Sequence, residues 1–398
     1  MTQSQKTCAV VAALVILGWL SGFKPWGNIF AGDDGQAQII ELSDTAADTE
    51  EFPLFQQKQL QIGSLKGLLC VLETVEATPD SLGRLQNQLK TLLAFFDVSS
   101  LAEFILVTSE EDAAAVKQAV QQVASQHPQT PIPAEFFKYL TYADCTEQLD
   151  ASSSVLTAAS TPAKQQLARL SCAPHIKTPF YLNLDIEAFF TRSSNALSFF
   201  KESDCHPYSA VCSSETNMSY QAANDIYPIM ERGIEQQSLL LGSAALLRID
   251  IAIDWGPAIG VTPQVFATDL AKQVGIYVQN KFQVKSWQSY LLEQAHPDIL
   301  SHRRSLSDAT DDAPVWDAFN VYWLFATRAC VFENFHVPGS VLQASAVWSA
   351  EAFHAWMPCQ DTFQQAPKQG VVSLVHPSTN VPPADVWAKI EPCLQSVA

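Results

Sequence analysis

The sequence lacks the glycine-rich loops that hold nucleotide phosphates by backbone alone. Neither a Walker-type nor a dinucleotide-type pattern occurs among its 15 glycines, which removes two common nucleotide-binding schemes. No Cys-x-x-Cys pair occurs among its nine cysteines, which argues against a structural zinc site. Charge is sparse and one-sided: charged residues are 16% of 398, with 23 Lys and Arg against 41 Asp and Glu, a net charge of −18. Nucleic-acid phosphates require a Lys/Arg surface, so nucleic acid is excluded as a partner. The same shortage means that any nucleotide must be held by a metal and local donors. What the chain does have is apolar bulk, 47% of its residues, enough to bury a sizeable core. Its 22 prolines imply many rigid loops.

The apolar residues open the chain. Thr7 to Phe23 is 17 residues without a charge, flanked by Lys6 and Lys24, near the short limit for a membrane span. Trp19, Phe23 and Trp26 at its far end suit a membrane interface. We read residues 1–27 as a signal anchor, with cleavage near Ala31 or Gly32 and secretion as the alternative. Between Lys24 and Lys58 no basic residue occurs while Asp and Glu accumulate, so residues 28–60 read as an acidic flexible stem. Anchor, stem and a globular domain over 61–398 form the plan of a single-pass type II membrane protein. Its catalytic domain would face the lumen of the Golgi or endoplasmic reticulum.

From Lys66 strands and helices alternate. Gly67 to Glu73, Glu103 to Thr108, Glu135 to Leu140 and Phe180 to Leu184 read as strands. Ser81 to Phe96, with Leu82, Leu85, Leu89, Leu92 and Leu93 at helical spacing, reads as a helix, as do Glu111 to Val123 and Ala163 to Leu170. Such alternation implies right-handed crossovers and a mostly parallel sheet flanked by helices. Ligands of these sheets bind beyond the carboxyl ends of the strands.

That is where the most informative stretch falls. The apolar run Phe180-Tyr-Leu-Asn-Leu184 ends on Asp185-Ile-Glu187. Strand alternation points Asp185 and Glu187 to one side and Ile186 to the other. Two like charges side by side repel unless a cation sits between them. A hard divalent ion with oxygen ligands, Mg²⁺ or Mn²⁺, completed by substrate phosphates, is the natural partner. The competing interpretation of the bare motif is a solvated strand end.

Gln165-Gln166-Leu-Ala-Arg169-Leu170 followed by Thr178-Pro-Phe-Tyr-Leu-Asn-Leu-Asp185-Ile-Glu187 resembles glycosyltransferase-like proteins of the GT-A type. In those, a Gln-Gln-x-x-Lys-Leu helix precedes a strand ending in Leu-Asp-x-Asp. Gly260-Val-Thr-Pro263, Trp316-Asp-Ala-Phe-Asn-Val-Tyr322, Phe335-His336 and Val371-Val-Ser-Leu-Val-His376 follow in the same order, so the resemblance covers roughly residues 66 to 395. Arg169 stands in place of the lysine and Glu187 in place of the second aspartate. The resemblance implies a GT-A-like (Rossmann-like) α/β fold and a sugar passed from a nucleoside diphosphate sugar to a glycan or other hydroxyl acceptor. A metal would neutralise the leaving diphosphate. Asp185 and Glu187 are then the metal contacts, with His376 as a third; a histidine hydrogen-bonded at a strand end is the alternative. Gln165, Arg169, Lys177 and Thr262 are the donor-side candidates.

Thr262 and Pro263 form a good N-cap and first turn for a helix from Gln264 to Val274. Asp254-Trp255-Gly256 and this loop would shape the acceptor pocket, Trp255 offering a ring face to a sugar. Asp317 is the candidate general base and Glu333 its runner-up; a helix-terminal carboxylate is the other reading of Asp317. Cys205 and Cys212 suit a local disulfide, and Asn217-Met-Ser219 is a glycosylation sequon. A catalytically silent sugar- or nucleotide-binding relative is the main alternative function. A metal-dependent phosphohydrolase would need more clustered Asp and His ligands.

Overall fold

The computed structural model describes residues 59–127, 132–133, 135–146, 154–206, 209–224, 226–228, 234–249, 257–259, 262–294, 316–338, 343–358 and 370–395. The expected anchor, the stem as far as Lys58, and Asp254, Trp255, Gly256, Gly260 and Val261 lie outside these. Among the described residues no helix is long and apolar enough to cross a membrane.

Strand β1 (Leu69–Thr74) leads through helix α1 (Pro79–Phe95) to β2 (Phe104–Thr108), and α2 (Ala113–Gln126) leads on to β3 (Phe137–Thr141). Helix α3 (Thr161–Ser171) precedes β4 (Phe180–Leu184), which turns sharply into β5 (Ala188–Phe190). Later come β6 (Gln264–Ala267), α4 (Thr268–Phe282), α5 (Ala318–Arg328), β7 (Gln343–Val347), β8 (Val372–Val375) and α6 (Pro383–Gln395).

The central sheet runs β6-β4-β1-β2-β3, with β4, β1, β2 and β3 parallel and β6 antiparallel on the edge. Every residue of β1, β2, β4 and β6 is buried, as expected of strands covered on both faces. The expected parallel α/β arrangement is therefore present, and β4 has the bounds read from the sequence. One expectation fails. Gln264–Ala267 is not the start of a helix but a strand, paired from Gln264↔Asn183 to Ala267↔Phe180. The N-cap pattern of Thr262-Pro263 is locally sound, but closing the open edge of β4 satisfies more backbone groups, and the helix begins only at Thr268.

Helix starts follow local chemistry. Thr78 accepts from the Ser81 amide ahead of α1, and Ser160 from the Ala163 amide ahead of α3, each with a proline in the first turn. A second sheet, β7-β8-β5, is built from the C-terminal strands and the segment after β4. It packs Phe189, Val347 and Val375 with Phe353, Trp356, Val386 and Ile390 in a core of its own. Arg84 of α1, itself buried, donates to the carbonyls of Val375 and Val381 and ties this part to the central sheet. Gln57–Ala398 forms one compact unit.

Candidate functional site

The two sheets meet at Asp185. β4 belongs to the first and β5 to the second, so the chain must change sheets within the residues between Leu184 and Ala188. It does so in a turn, the Ala188 amide donating to the Asp185 carbonyl at 2.8 Å. The Asp185 amide donates to Thr262 Oγ1 at 3.1 Å, and that hydroxyl in turn reaches the Asn183 carbonyl at 3.4 Å. Strand alternation is thus not what aligns the carboxylates. The turn brings Asp185, Ile186 and Glu187 together onto one cleft of about 330 Å³, and Ile186, expected to face away, lines it too.

Three further elements complete the wall. α3 supplies Gln165, Gln166 and Arg169; the end of β1 and the segment after it supply Thr74 and Glu76; and the C-terminal strands with the residues that follow them supply Leu374, His376 and Trp348. Arg169 forms an ion pair with Asp185. Its guanidinium lies over the Phe319 ring, 4.8 Å from the centroid, and donates to Gln166 Oε1 at 3.4 Å. The same Gln166 oxygen accepts from the Ala318 amide at 3.0 Å, which anchors the pair to the start of α5. The replacement of lysine by arginine noted in the sequence therefore adds a planar contact with an aromatic ring that an ammonium makes less well.

A carboxylate that sequence reasoning missed lies behind these. Glu73 is buried at the end of β1, where it pairs in register with Leu184, the residue before Asp185. Gln88 of α1 donates through one nitrogen to Glu73 Oε2 at 3.0 Å and to the Asp185 carbonyl at 2.8 Å. Glu73 Oε1 and Gln88 Oε1 have no hydrogen-bond partner. Burial, then the charges of Asp185 and Glu187, hold the Glu73 carboxyl well above the usual range. Burial and Asp185 likewise push Glu187 up to about 7, against the opposing pull of Arg84 and Arg169. The readable signal was an acidic residue ending the apolar run of a strand, Leu69-Cys-Val-Leu-Glu73.

This surplus of negative charge is what a cation would relieve. Among the described residues no group of three or more His, Cys, Asp and Glu side chains stands ready to hold a metal. Two carboxylates, with water and phosphate oxygens completing the shell, are the usual protein share for Mg²⁺. Asp185 and Glu187 fit that share. His376 lines the same cleft, but its Nδ1 is engaged with Ser378, 2.7 Å from Oγ and accepting the backbone amide at 3.2 Å.

The cleft thus gathers Gln165, Arg169, Asp185, Glu187, Thr262 and His376. Thr262, buried there, braces the Asp185 amide instead of capping a helix. Lys177 is not part of it: it is exposed ahead of the amino end of β4, a whole strand from Asp185 and roughly 20 Å or more away. Asp317 caps α5, its two oxygens accepting from the Asn320 amide and side chain, each at 2.6 Å. Glu333 is exposed on a short helix, Phe332–Phe335, and neither carboxylate lines the cleft. Cys205 and Cys212 form a disulfide, as expected, and Cys145 is bonded to Cys172.

Residues 67–397 match the model of DUF6492, a family of unknown function, and the chain belongs to that family. No curated protein matches it. Among solved structures it is similar to the mannosyltransferase Ktr4p from S. cerevisiae, with a TM-score of 0.32 and 10% identity over 58% of this chain and 65% of that one. The chain thus spans less than two thirds of that structure. It is also similar to 4-diphosphocytidyl-2C-methyl-D-erythritol synthase from Anaerococcus prevotii DSM 20548, with a TM-score of 0.26 and 11% identity over 61% and 85% of the two chains.

Proposed function

We propose that this member of the family is a glycosyltransferase of the GT-A type that takes a sugar from a nucleoside diphosphate sugar, with Mn²⁺ or Mg²⁺ at Asp185 and Glu187. The observation that carries the reading is the convergence of these two carboxylates with Gln165, Gln166 and Arg169 in one cleft at the carboxyl end of a parallel sheet. A divalent ion bound there supplies positive charge to the departing diphosphate. The chain's own residues do the rest. Asp185, fixed by Thr262 and Gln88, offers its carboxylate with the backbone already held. Arg169 carries a planar donor set suited to phosphate oxygens, and Gln165 and Gln166 add amide groups beside it.

Membrane attachment through residues 7–23, with the site in a lumen, belongs to the same proposal. The disulfides Cys145–Cys172 and Cys205–Cys212 and the exposed Asn217 of the sequon support it, since cystines persist in oxidising compartments. A glycan or other hydroxyl compound is the acceptor. Asp317 and Glu333 stand outside the cleft and are not assigned the work of deprotonating it.

A second reading is a catalytically silent sugar- or nucleotide-binding relative, favoured by the Arg169 charge that already neutralises Asp185. Thermal stabilisation of the full chain by a panel of nucleoside diphosphate sugars, with and without Mn²⁺ and beside Asp185→Ala, tests the first reading. A shift that needs both metal and one nucleotide sugar, and is lost in the variant, supports it. Absence of any nucleotide-dependent shift overturns it, and binding without sugar release favours the silent relative.

A further inference from the structure

The second sheet places three cleft residues in a row. β7 and β8 are parallel, with Val347 opposite Val375, so the residues that follow, Trp348 and His376, emerge side by side. The His376 amide donates to the Val347 carbonyl at 2.9 Å, and their rings face each other at 4.6 Å with a tilt of 35°. β8 is antiparallel to β5, with Leu374 opposite Ala188, and the Val375 amide donates to the Glu187 carbonyl at 3.2 Å. The order across the sheet end is therefore Trp348, His376, Glu187. Trp348 lies two strand spacings, roughly 10 Å, from the carboxylate pair.

Trp348 is unusual among the large side chains here because it keeps 45% of its surface open while lining a cleft. Ser378 Oγ donates to its carbonyl at 3.2 Å, which holds the backbone, and His376 backs its ring. A half-open indole beside hydrogen-bonding groups is the surface on which the C–H face of a pyranose stacks. Other lining residues differ in chemistry: Gln165, Gln166 and Thr74 offer amides and a hydroxyl.

We propose that Trp348 is the stacking platform of the acceptor subsite and that the acceptor is a carbohydrate. The inference rests on the transferase reading, which places the donor at Asp185 and Glu187. A pyranose on the indole spans the space to that pair, with His376 between them as a hydrogen-bonding neighbour.

The test uses the full chain with methyl glycosides of glucose, galactose, mannose and N-acetylglucosamine and their β-linked disaccharides, binding being read by saturation-transfer NMR. The nucleotide-sugar thermal shift is measured in parallel. The expected result is binding of one glycoside class that Trp348→Ala weakens by roughly tenfold and Trp348→Phe largely restores, with the nucleotide shift unchanged in both. The unchanged shift also shows that the variants fold. If the wild type gives the nucleotide shift but binds no glycoside, the carbohydrate acceptor is overturned while the transferase reading stands. If Trp348→Ala abolishes the nucleotide shift and spares glycoside binding, the ring stacks on the donor base and the proposal falls. If no nucleotide shift exists but glycosides bind through Trp348, the subsite stands and the transferase reading is what fails.

Discussion

Arg169 and Asp185 form an ion pair inside the cleft, the arginine side chain 7% exposed and the aspartate 27%. Each is braced from elsewhere, Arg169 by Phe319 and Gln166, Asp185 by Thr262 and Gln88. So shielded a pair is not a screened surface contact, and the guanidinium occupies the position where a cation would neutralise Asp185.

The consequence is competition. Removing the arginine charge with Arg169→Ala should tighten Mn²⁺ binding by about tenfold while weakening nucleotide binding, because one donor to phosphate is lost. Titration calorimetry with Mn²⁺ alone, then with a nucleoside diphosphate, reads the two effects separately. Unchanged Mn²⁺ affinity would mean that arginine and metal do not share Asp185.

Glu187 makes stability depend on pH. Its carboxyl, pushed up from 4.5 to about 7 by burial and by Asp185, binds its proton more tightly in the folded state than in the unfolded one. A raised pKa contributes stability that is complete below the unfolded value and is lost as pH rises through the folded value. The metal-free protein should therefore lose on the order of 1–3 kcal/mol between about pH 4.5 and pH 7. Glu187→Gln should flatten that slope. Melting temperatures measured across the window decide it, and equal slopes for both proteins would assign the titration to another group.

Much of this arrangement was legible in the sequence, and the failures have physical causes. β4 could be bounded because its apolar run stops abruptly at two acids, whereas the glutamines and arginine of α3 could be placed near it only through the family resemblance. β6 was misread because Thr262-Pro263 carries a sound helix-start signal that the unpaired edge of β4 outweighs. Glu73 stayed hidden because an acid at a strand end acquires meaning only through the register that seats it opposite Leu184. Trp348 was unreadable for the same kind of reason. Its neighbour His376 reaches it through a parallel pairing whose two strands are distant in sequence. Lys177 sits close to Asp185 in sequence yet on the wrong side of a strand.

Glu73 tests whether the buried acid is needed as a charge. Its Oε1 and Gln88 Oε1 both lack a donor, and burial already favours the neutral carboxyl. Glu73→Gln removes the ionisable group and provides an amide that can give Gln88 Oε1 its missing hydrogen. We expect it to raise stability at pH 8 by roughly 1 kcal/mol, seen as a higher urea midpoint. A lower midpoint would show that the ionised carboxylate is held by a partner that the amide cannot replace.

Asp317 separates capping from catalysis in one comparison. Its oxygens accept from the amide and side chain of Asn320, and its own amide donates to Ser243 Oγ at 3.3 Å, so the residue starts α5. Asparagine caps a helix about as well as aspartate, whereas alanine does not. Asp317→Asn should therefore keep both melting temperature and any sugar transfer near wild type, while Asp317→Ala should cost roughly 1–2 kcal/mol of stability. A general base would behave in the opposite way: the asparagine variant would fold normally and lose transfer by a factor of about 100 or more. Melting curves and transfer rates for the two variants, measured side by side, distinguish these outcomes. Because α5 also anchors Gln166 through the Ala318 amide, the alanine variant should loosen the nucleotide side of the cleft as well. The asparagine variant should not.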